Sequence, residues 1–194
     1  MKVLWGPIPS GRNFEPEAVG SLWRRLVEPT PTQFAFQAIA LAVPLVGVSL
    51  VLLFASADAL RADRITLVAF LVFLAAMIPL HELVHGLAFP RSLASPNIIF
   101  GVWLSRGICY VTYDGPTSRD RLLIVLAMPF AVFTLGIFAG LLLVESDHRS
   151  VLALMFTIHT ATCVGDLLTF IRITRQVPRN AQLQNHGWQT WWRE

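Results

Sequence analysis

The stretch ITLVAFLVFLAAMIPLHELVHGLAF, residues 65–89, decides what kind of protein this chain forms. A helix needs about 20 predominantly apolar residues to cross a hydrocarbon core about 30 Å thick, and this stretch is long enough. Near its end it carries His81, Glu82 and His85. Ionisable side chains inside a membrane each cost about 2.5–3.5 kcal/mol even on the lenient insertion scale. We therefore expect this group to have a function.

Three further apolar stretches pass the same length test, so the sequence predicts an all-α membrane protein with four transmembrane helices. The predicted spans are 35–55, 65–89, 122–144 and 151–171. Charged residues make up only 14% of the chain, whereas a typical soluble domain has about 25%. This composition excludes a disordered chain and argues against an ordinary soluble enzyme.

The basic residues predict the orientation of these spans. Twelve of the fifteen Lys and Arg residues lie in the segments 1–34, 90–121 and 172–194. By the positive-inside rule, both termini of a multi-pass protein of the cell membrane are then cytoplasmic. Residues 1–34 are expected to form a cytoplasmic or interfacial segment, 35–171 the transmembrane domain and 172–194 a cytoplasmic tail. The basic residues form no stripe, so the expected partner is the lipid bilayer and not nucleic acid.

The connection between the second and third spans predicts a β-hairpin. Residues 97–113 read NIIFGVWLSRGICYVTY, in which branched and aromatic runs flank a turn that contains Gly107. Because this segment is so apolar, we expect the hairpin to be associated with the membrane or to pack on the helices. Its edge could pair with an extended substrate. The alternative is that it only closes the cytoplasmic mouth of the bundle.

The HExxH pattern in the second span predicts a metal site. His81 and His85 are four residues apart, so a helix presents both imidazoles on one face, where they can bind one metal ion. Glu82 lies beside the first ligand and can act on a metal-bound water as a base. The alternative is a structural polar cluster that joins helices by hydrogen bonds.

The fourth span carries the other ionisable side chains of the predicted membrane region, His159 and Asp166, with Cys163 as a weaker candidate. Catalytic zinc takes three protein ligands and a water. Asp166 lies as far from the basic residue that follows its span as His85 does, so the two are at similar depth. His159 lies about 10 Å deeper, which suits substrate binding or oxyanion stabilisation. The predicted ligands are His81, His85 and Asp166, with Cys163 as a rival.

These motifs together resemble the zincin peptidases related to site-2 proteases. The resemblance covers residues 65–171 and rests on His81-Glu82-Leu-Val-His85-Gly86, on the β-rich loop and on Gly165-Asp166. It implies an intramembrane metalloprotease fold and Zn2+ as the cofactor, held by His81, His85 and Asp166, with Glu82 as the catalytic base. The chain departs from typical site-2 proteases at 159–166, HTATCVGD, which lacks their asparagine and prolines.

The sequence therefore predicts a zinc-dependent intramembrane endopeptidase that hydrolyses a peptide bond of a membrane-anchored protein. Glu82 is expected to activate a zinc-bound water, and His159 to stabilise the oxyanion. The alternative is a non-catalytic zinc-binding membrane protein that holds a partner transmembrane helix, which the departure on the last span favours. A metal transporter fits less well, because its ligands would lie at several depths. The sequence does not predict the oligomeric state.

Overall fold

The structure is a computed structural model that describes residues 2–11, 13–18, 21–54, 64–143 and 146–194. Its helices are α1 (Pro31–Phe54), α2 (Arg64–Ala88), α3 (Arg119–Pro129), α4 (Leu135–Leu143), α5 (Ser146–Thr162) and α6 (Val164–Gln176). A π-helical turn, Phe130–Thr134, joins α3 to α4 into one continuous helix. The strands found in these residues are β1 (Lys2–Trp5), β2 (Arg24–Arg25), β3 (Ile98–Trp103), β4 (Ile108–Tyr113), β5 (Thr117–Ser118), β6 (Gln182–His186) and β7 (Gln189–Arg193).

The prediction of an all-α protein with four transmembrane helices is wrong. Two β-sheets accompany the helices, and among the described residues only Phe70–Ala88 and Arg119–Leu143 are each long and apolar enough to cross a membrane. The predicted fourth span is bent by 45° between Val151–Thr162 and Val164–Gln176, and it makes a third span only if the bent pair counts as one. In α1 the apolar stretch found among the described residues, Thr32–Val43, is shorter than a span. These apolar helices indicate a membrane protein.

Two hydrogen bonds to one carbonyl lie at the bend in the fourth span. The Thr162 hydroxyl donates to the carbonyl of His159 at 2.7 Å, and the Cys163 N–H donates to that same carbonyl at 3.2 Å. Threonine bonds of this kind often accompany bends in helices, and α5 gives way to α6 at Cys163. Residues 55 and 144, where the first and third predicted spans end, lie outside the described residues.

The chain forms two compact units, of which the first comprises Met1–Glu28, Pro79–Met128 and Thr169–Glu194. In this unit β3 and β4 pair as an antiparallel hairpin, so the hairpin predicted at 97–113 is present. Its turn needs Gly107, whose φ of 62° is in the left-handed region. β1 adds to the other edge of β3 in parallel. The second sheet has the order β2-β7-β6-β5.

The core of the first unit joins residues from distant parts of the chain. β6 has the polar sequence QLQNH, but its one leucine, Leu183, is only 1% exposed. Trp191 and Trp192 of β7 are buried as well. The segment expected to be a tail therefore contributes to this core, whose members are Leu26, Ala88, Phe89, Ile98, Leu122, Val125, Ile173, Val177, Ala181, Leu183 and Trp192.

The second unit exposes large apolar side chains and buries several polar ones. In it α1 packs against α5, which in turn packs against α4 and the π-helical turn. Phe36 and Leu143 are 75% and 84% exposed, whereas Thr134, His159 and Thr160 are at most 1% exposed. Lipid favours this arrangement, because apolar side chains can face the hydrocarbon while polar ones bond to each other. The unit comprises Pro29–Ile78 and Pro129–Leu168.

Candidate metal centre

The two histidines of the HExxH pattern lie one turn apart near the end of α2. Both side chains are buried, and the Nε2 atoms of His81 and His85 are 3.1 Å apart. Two nitrogens that each bind a tetrahedral zinc at about 2.0–2.1 Å lie roughly 3.4 Å from each other. The pair therefore fits a single metal ion with little movement of either ring.

A backbone carbonyl orients His85 for metal binding. Nδ1 of His85 lies 2.8 Å from the carbonyl oxygen of Val125 in α3. Because a carbonyl can only accept, Nδ1 carries the proton and Nε2 keeps its lone pair. Pro129, four residues after Val125 in the same helix, has no N–H to donate to that carbonyl. Ligating histidines usually donate their other N–H in this way, so these residues fit zinc.

Glu82 lies close to the hairpin. Burial raises the pKa of the Cys109 thiol in β4, and the nearby Glu82 carboxylate raises that pKa further. Gly86, directly after His85, makes room for β3, because a Cβ there would lie 3.3 Å from the Phe100 ring and 2.9 Å from Leu93. The hairpin therefore packs against the helical turn that carries Glu82.

The second unit contains a buried polar cluster of Thr134, His159 and Cys163. Nδ1 of His159 lies 2.9 Å from the Thr134 hydroxyl and 3.7 Å from the Cys163 sulfur. The Phe133 ring packs against the imidazole, with 5.1 Å between the ring centres. Asp166 is half-buried in the first turn of α6, where the helix dipole favours a carboxylate.

Two groups of described side chains have the residue types that could hold a metal ion. One group is the predicted ligand set of His81, His85 and Asp166, and the other is His81, His159 and Cys163. Zinc binds imidazole, carboxylate and thiolate ligands alike. The choice of Asp166 over Cys163 therefore stays a prediction, and so do the catalytic roles of Glu82 and His159.

Sequence reasoning missed two residues that hold the histidine rings. Val125 orients His85 through its carbonyl, and the available signal was Pro129, which leaves the carbonyl four residues before it without a helical donor. Thr134 contacts His159 from the π-helical turn. Nothing in the composition of that apolar segment predicts the turn.

Comparison with known proteins identifies the family. No significant match to the chain was found among curated proteins or among solved structures. A family model described as putative zincin peptidase matches residues 74–182, which include the HExxH pattern, the hairpin and Asp166. That match spans more than half of the 194 residues, and the family implies zinc. The chain therefore belongs to the putative zincin peptidase family.

Proposed function

We propose that the protein is a zinc-dependent intramembrane endopeptidase that cuts a membrane-anchored protein. The observation that carries this proposal is the pair of Nε2 atoms 3.1 Å apart, next to Glu82, in the apolar helix Phe70–Ala88. The family supports the peptidase class. The length and apolar character of the helix support the membrane as the place of action.

Each candidate residue has a distinct role in this reaction. His81, His85 and Asp166 would hold the zinc ion, which when bound lowers the pKa of a water to about 7 and polarises a carbonyl. Glu82 accepts a proton on its carboxylate as the water attacks the scissile carbonyl carbon. It then gives the proton to the leaving amine nitrogen. His159 donates a hydrogen bond from its ring to the developing oxyanion.

The hairpin supplies a strand with which an unwound substrate can pair. β4 is at one edge of the sheet in the described part of the chain, whose order is β1-β3-β4. The Val102 carbonyl accepts from the Gly6 N–H at 3.0 Å, so the backbone groups of Val102 face β1. Its antiparallel partner Cys109 then faces the outer edge, as does Val111 two residues on. A substrate strand paired there runs close to Glu82, the residue that raises the pKa of Cys109.

We also propose that both termini lie in the cytoplasm and that the substrate is cut from that side of the cell membrane. The distribution of Lys and Arg supports this orientation, because twelve of the fifteen lie in the segments 1–34, 90–121 and 172–194. Fusion of a reporter that is active only in the cytoplasm to residue 194 tests it. An inactive reporter on a correctly inserted protein would contradict the orientation.

Replacement of Glu82 tests the reaction. We would measure the zinc content of purified wild type and Glu82→Gln, and identify new N-termini of membrane proteins in cells that express each. Both should hold one zinc per chain, and only the wild type should produce new termini in or beside membrane anchors. The exposed Glu17 provides a matched control, so Glu17→Gln should behave as wild type.

Two outcomes would contradict the proposal. If Glu82→Gln produced the same termini as wild type, Glu82 would not be the catalytic base. If both proteins held zinc and neither produced new termini, the non-catalytic zinc-binding protein that holds a partner helix would be the better description.

A further inference from the structure

We propose that Thr134 is a positioning residue that fixes the tautomer of His159, so that Nε2 carries the ring proton. Only one part of the inference rests on the proposed function, namely that the Nε2 proton is donated to the oxyanion. The tautomer itself follows from contacts within the second unit.

The ring of His159 is buried together with the side chains that contact its Nδ1. Its side chain is 0% exposed, and the side chains that contact Nδ1, Thr134 and Cys163, are 1% and 0% exposed. Because an unsatisfied buried donor or acceptor costs about 1–3 kcal/mol, the ring keeps the tautomer that its neighbours satisfy.

The hydroxyl of Thr134 is used differently from those of three other helical threonines. Thr157, Thr162 and Thr174 each donate to a carbonyl three or four residues earlier in the chain, at 2.7 Å. In the part of the chain that the structure describes, Thr134 makes no such bond, and its hydroxyl lies 2.9 Å from Nδ1 of His159. The hydroxyl also bonds to the Cys163 side chain, but sulfur is a weak acceptor, so we assign the hydroxyl proton to the bond in which Nδ1 accepts.

Cys163 supports the same assignment. Its thiol, a weak donor, lies 3.7 Å from the same nitrogen. A lone pair on Nδ1 can accept from both the hydroxyl and the thiol, and a neutral imidazole with this lone pair carries its proton on Nε2.

The π-helical turn holds Thr134 at the ring. Thr134 is the buried residue of the turn Phe130–Thr134. Its neighbour Phe133 packs against the same imidazole, with 5.1 Å between ring centres. Single π-helical turns within α-helices occur frequently at functional sites. Two successive residues of this turn therefore contact His159, which restricts both its orientation and its tautomer.

His159 and His85 have opposite partners. Nδ1 of His85 donates to the Val125 carbonyl, which leaves a lone pair on Nε2 for a metal ion. Nδ1 of His159 accepts from Thr134, which leaves a proton on Nε2. The contrast assigns metal binding to His85 and hydrogen-bond donation to His159.

Nitrogen NMR on the full-length zinc-loaded protein with 15N-labelled histidine tests the proposal. The signals of His159 are those that disappear in His159→Asn. Wild type and Thr134→Ser should show the Nε2–H tautomer, whereas Thr134→Val should lose this single tautomer and show a mixture. Thr160 is the matched control, because it is equally buried and its hydroxyl has no partner among the described residues. Thr160→Val should leave the His159 signals unchanged.

An Nδ1–H tautomer in wild type would overturn the proposal, as would an unchanged Nε2–H tautomer in Thr134→Val. Zinc content is the second readout. Thr134→Val and His159→Asn should keep the zinc, and loss of zinc from His159→Asn would make His159 a ligand and overturn its assignment as a donor. Neither measurement depends on cleavage, so both can be read even if the protein proves not to be a peptidase.

Discussion

Replacement of Pro129 by alanine should weaken zinc binding through the partner of His85. The Val125 carbonyl accepts from Nδ1 of His85, and Pro129 has no N–H that could compete for it. Pro129→Ala introduces a backbone N–H four residues after Val125, in the position of the regular helical donor. The carbonyl is then shared, and the His85 ring is less firmly held.

The size of this effect follows from the bond that is disturbed. The distance from Nδ1 to the carbonyl oxygen is 2.8 Å, at the short end of the range for N–H···O bonds. Loss of such a partner from a ligating histidine weakens metal binding about 10- to 100-fold. Because a carbonyl has two lone pairs, it can keep part of the bond to His85. We therefore expect the lower end, an increase of about tenfold in the zinc Kd, or about 1.4 kcal/mol.

Competition between the metal-free protein in detergent and a chelator of known zinc affinity measures this Kd. Pro79 offers a matched control, since it also lies inside a helix, α2. It leaves the Ala75 carbonyl without a helical donor, and that carbonyl has no side-chain partner among the described residues. Pro79→Ala should keep the wild-type Kd. An unchanged Kd in Pro129→Ala would refute the reasoning, and so would an equal increase in Pro79→Ala.

Three further predictions follow from named contacts. Alkylation of Cys109 in the metal-free protein should be slow at neutral pH, because burial and Glu82 raise the pKa of its thiol. The alkylation rate, measured by mass spectrometry, should be higher in Glu82→Gln. Equal rates in the two proteins would contradict the contact between Glu82 and Cys109. Leu183→Ala should destabilise the first unit by about 2–5 kcal/mol in denaturant unfolding. Leu104→Ala, at a residue 75% exposed, should cost at most about 0.5 kcal/mol, and equal costs would contradict the buried position of Leu183. Once a substrate is known, His159→Asn should lower kcat about 100-fold with little change in KM, whereas a rise in KM alone would indicate substrate binding instead.

The features that could be predicted from the sequence depend on local spacing. His81 and His85 share a helix face because they are four residues apart. The hairpin within 97–113 follows from strand-forming runs on either side of a turn at Gly107. In both cases the decisive residues are close in sequence, so a pattern of a few residues contains the information.

The features that could not be predicted depend on contacts between distant residues or on single hydrogen bonds. β6 has little strand-forming character, and it is stabilised because Leu183 packs with Leu26 and Trp192 in one core. The fourth predicted span is bent where the Thr162 hydroxyl bonds to a carbonyl of its own helix. Thr134, whose hydroxyl contacts His159, lies 25 positions before it in the chain. Apolar length records none of these contacts.

X-ray absorption at the zinc edge of the purified protein tests most directly whether His81, His85 and Asp166 hold the metal. We expect one zinc per chain with only nitrogen and oxygen ligands, at about 2.0–2.2 Å. A sulfur ligand at about 2.3 Å would show that Cys163 binds the metal, as in the second group of candidate ligands, and would contradict the assignment. Protein that binds no zinc would contradict the metal centre itself.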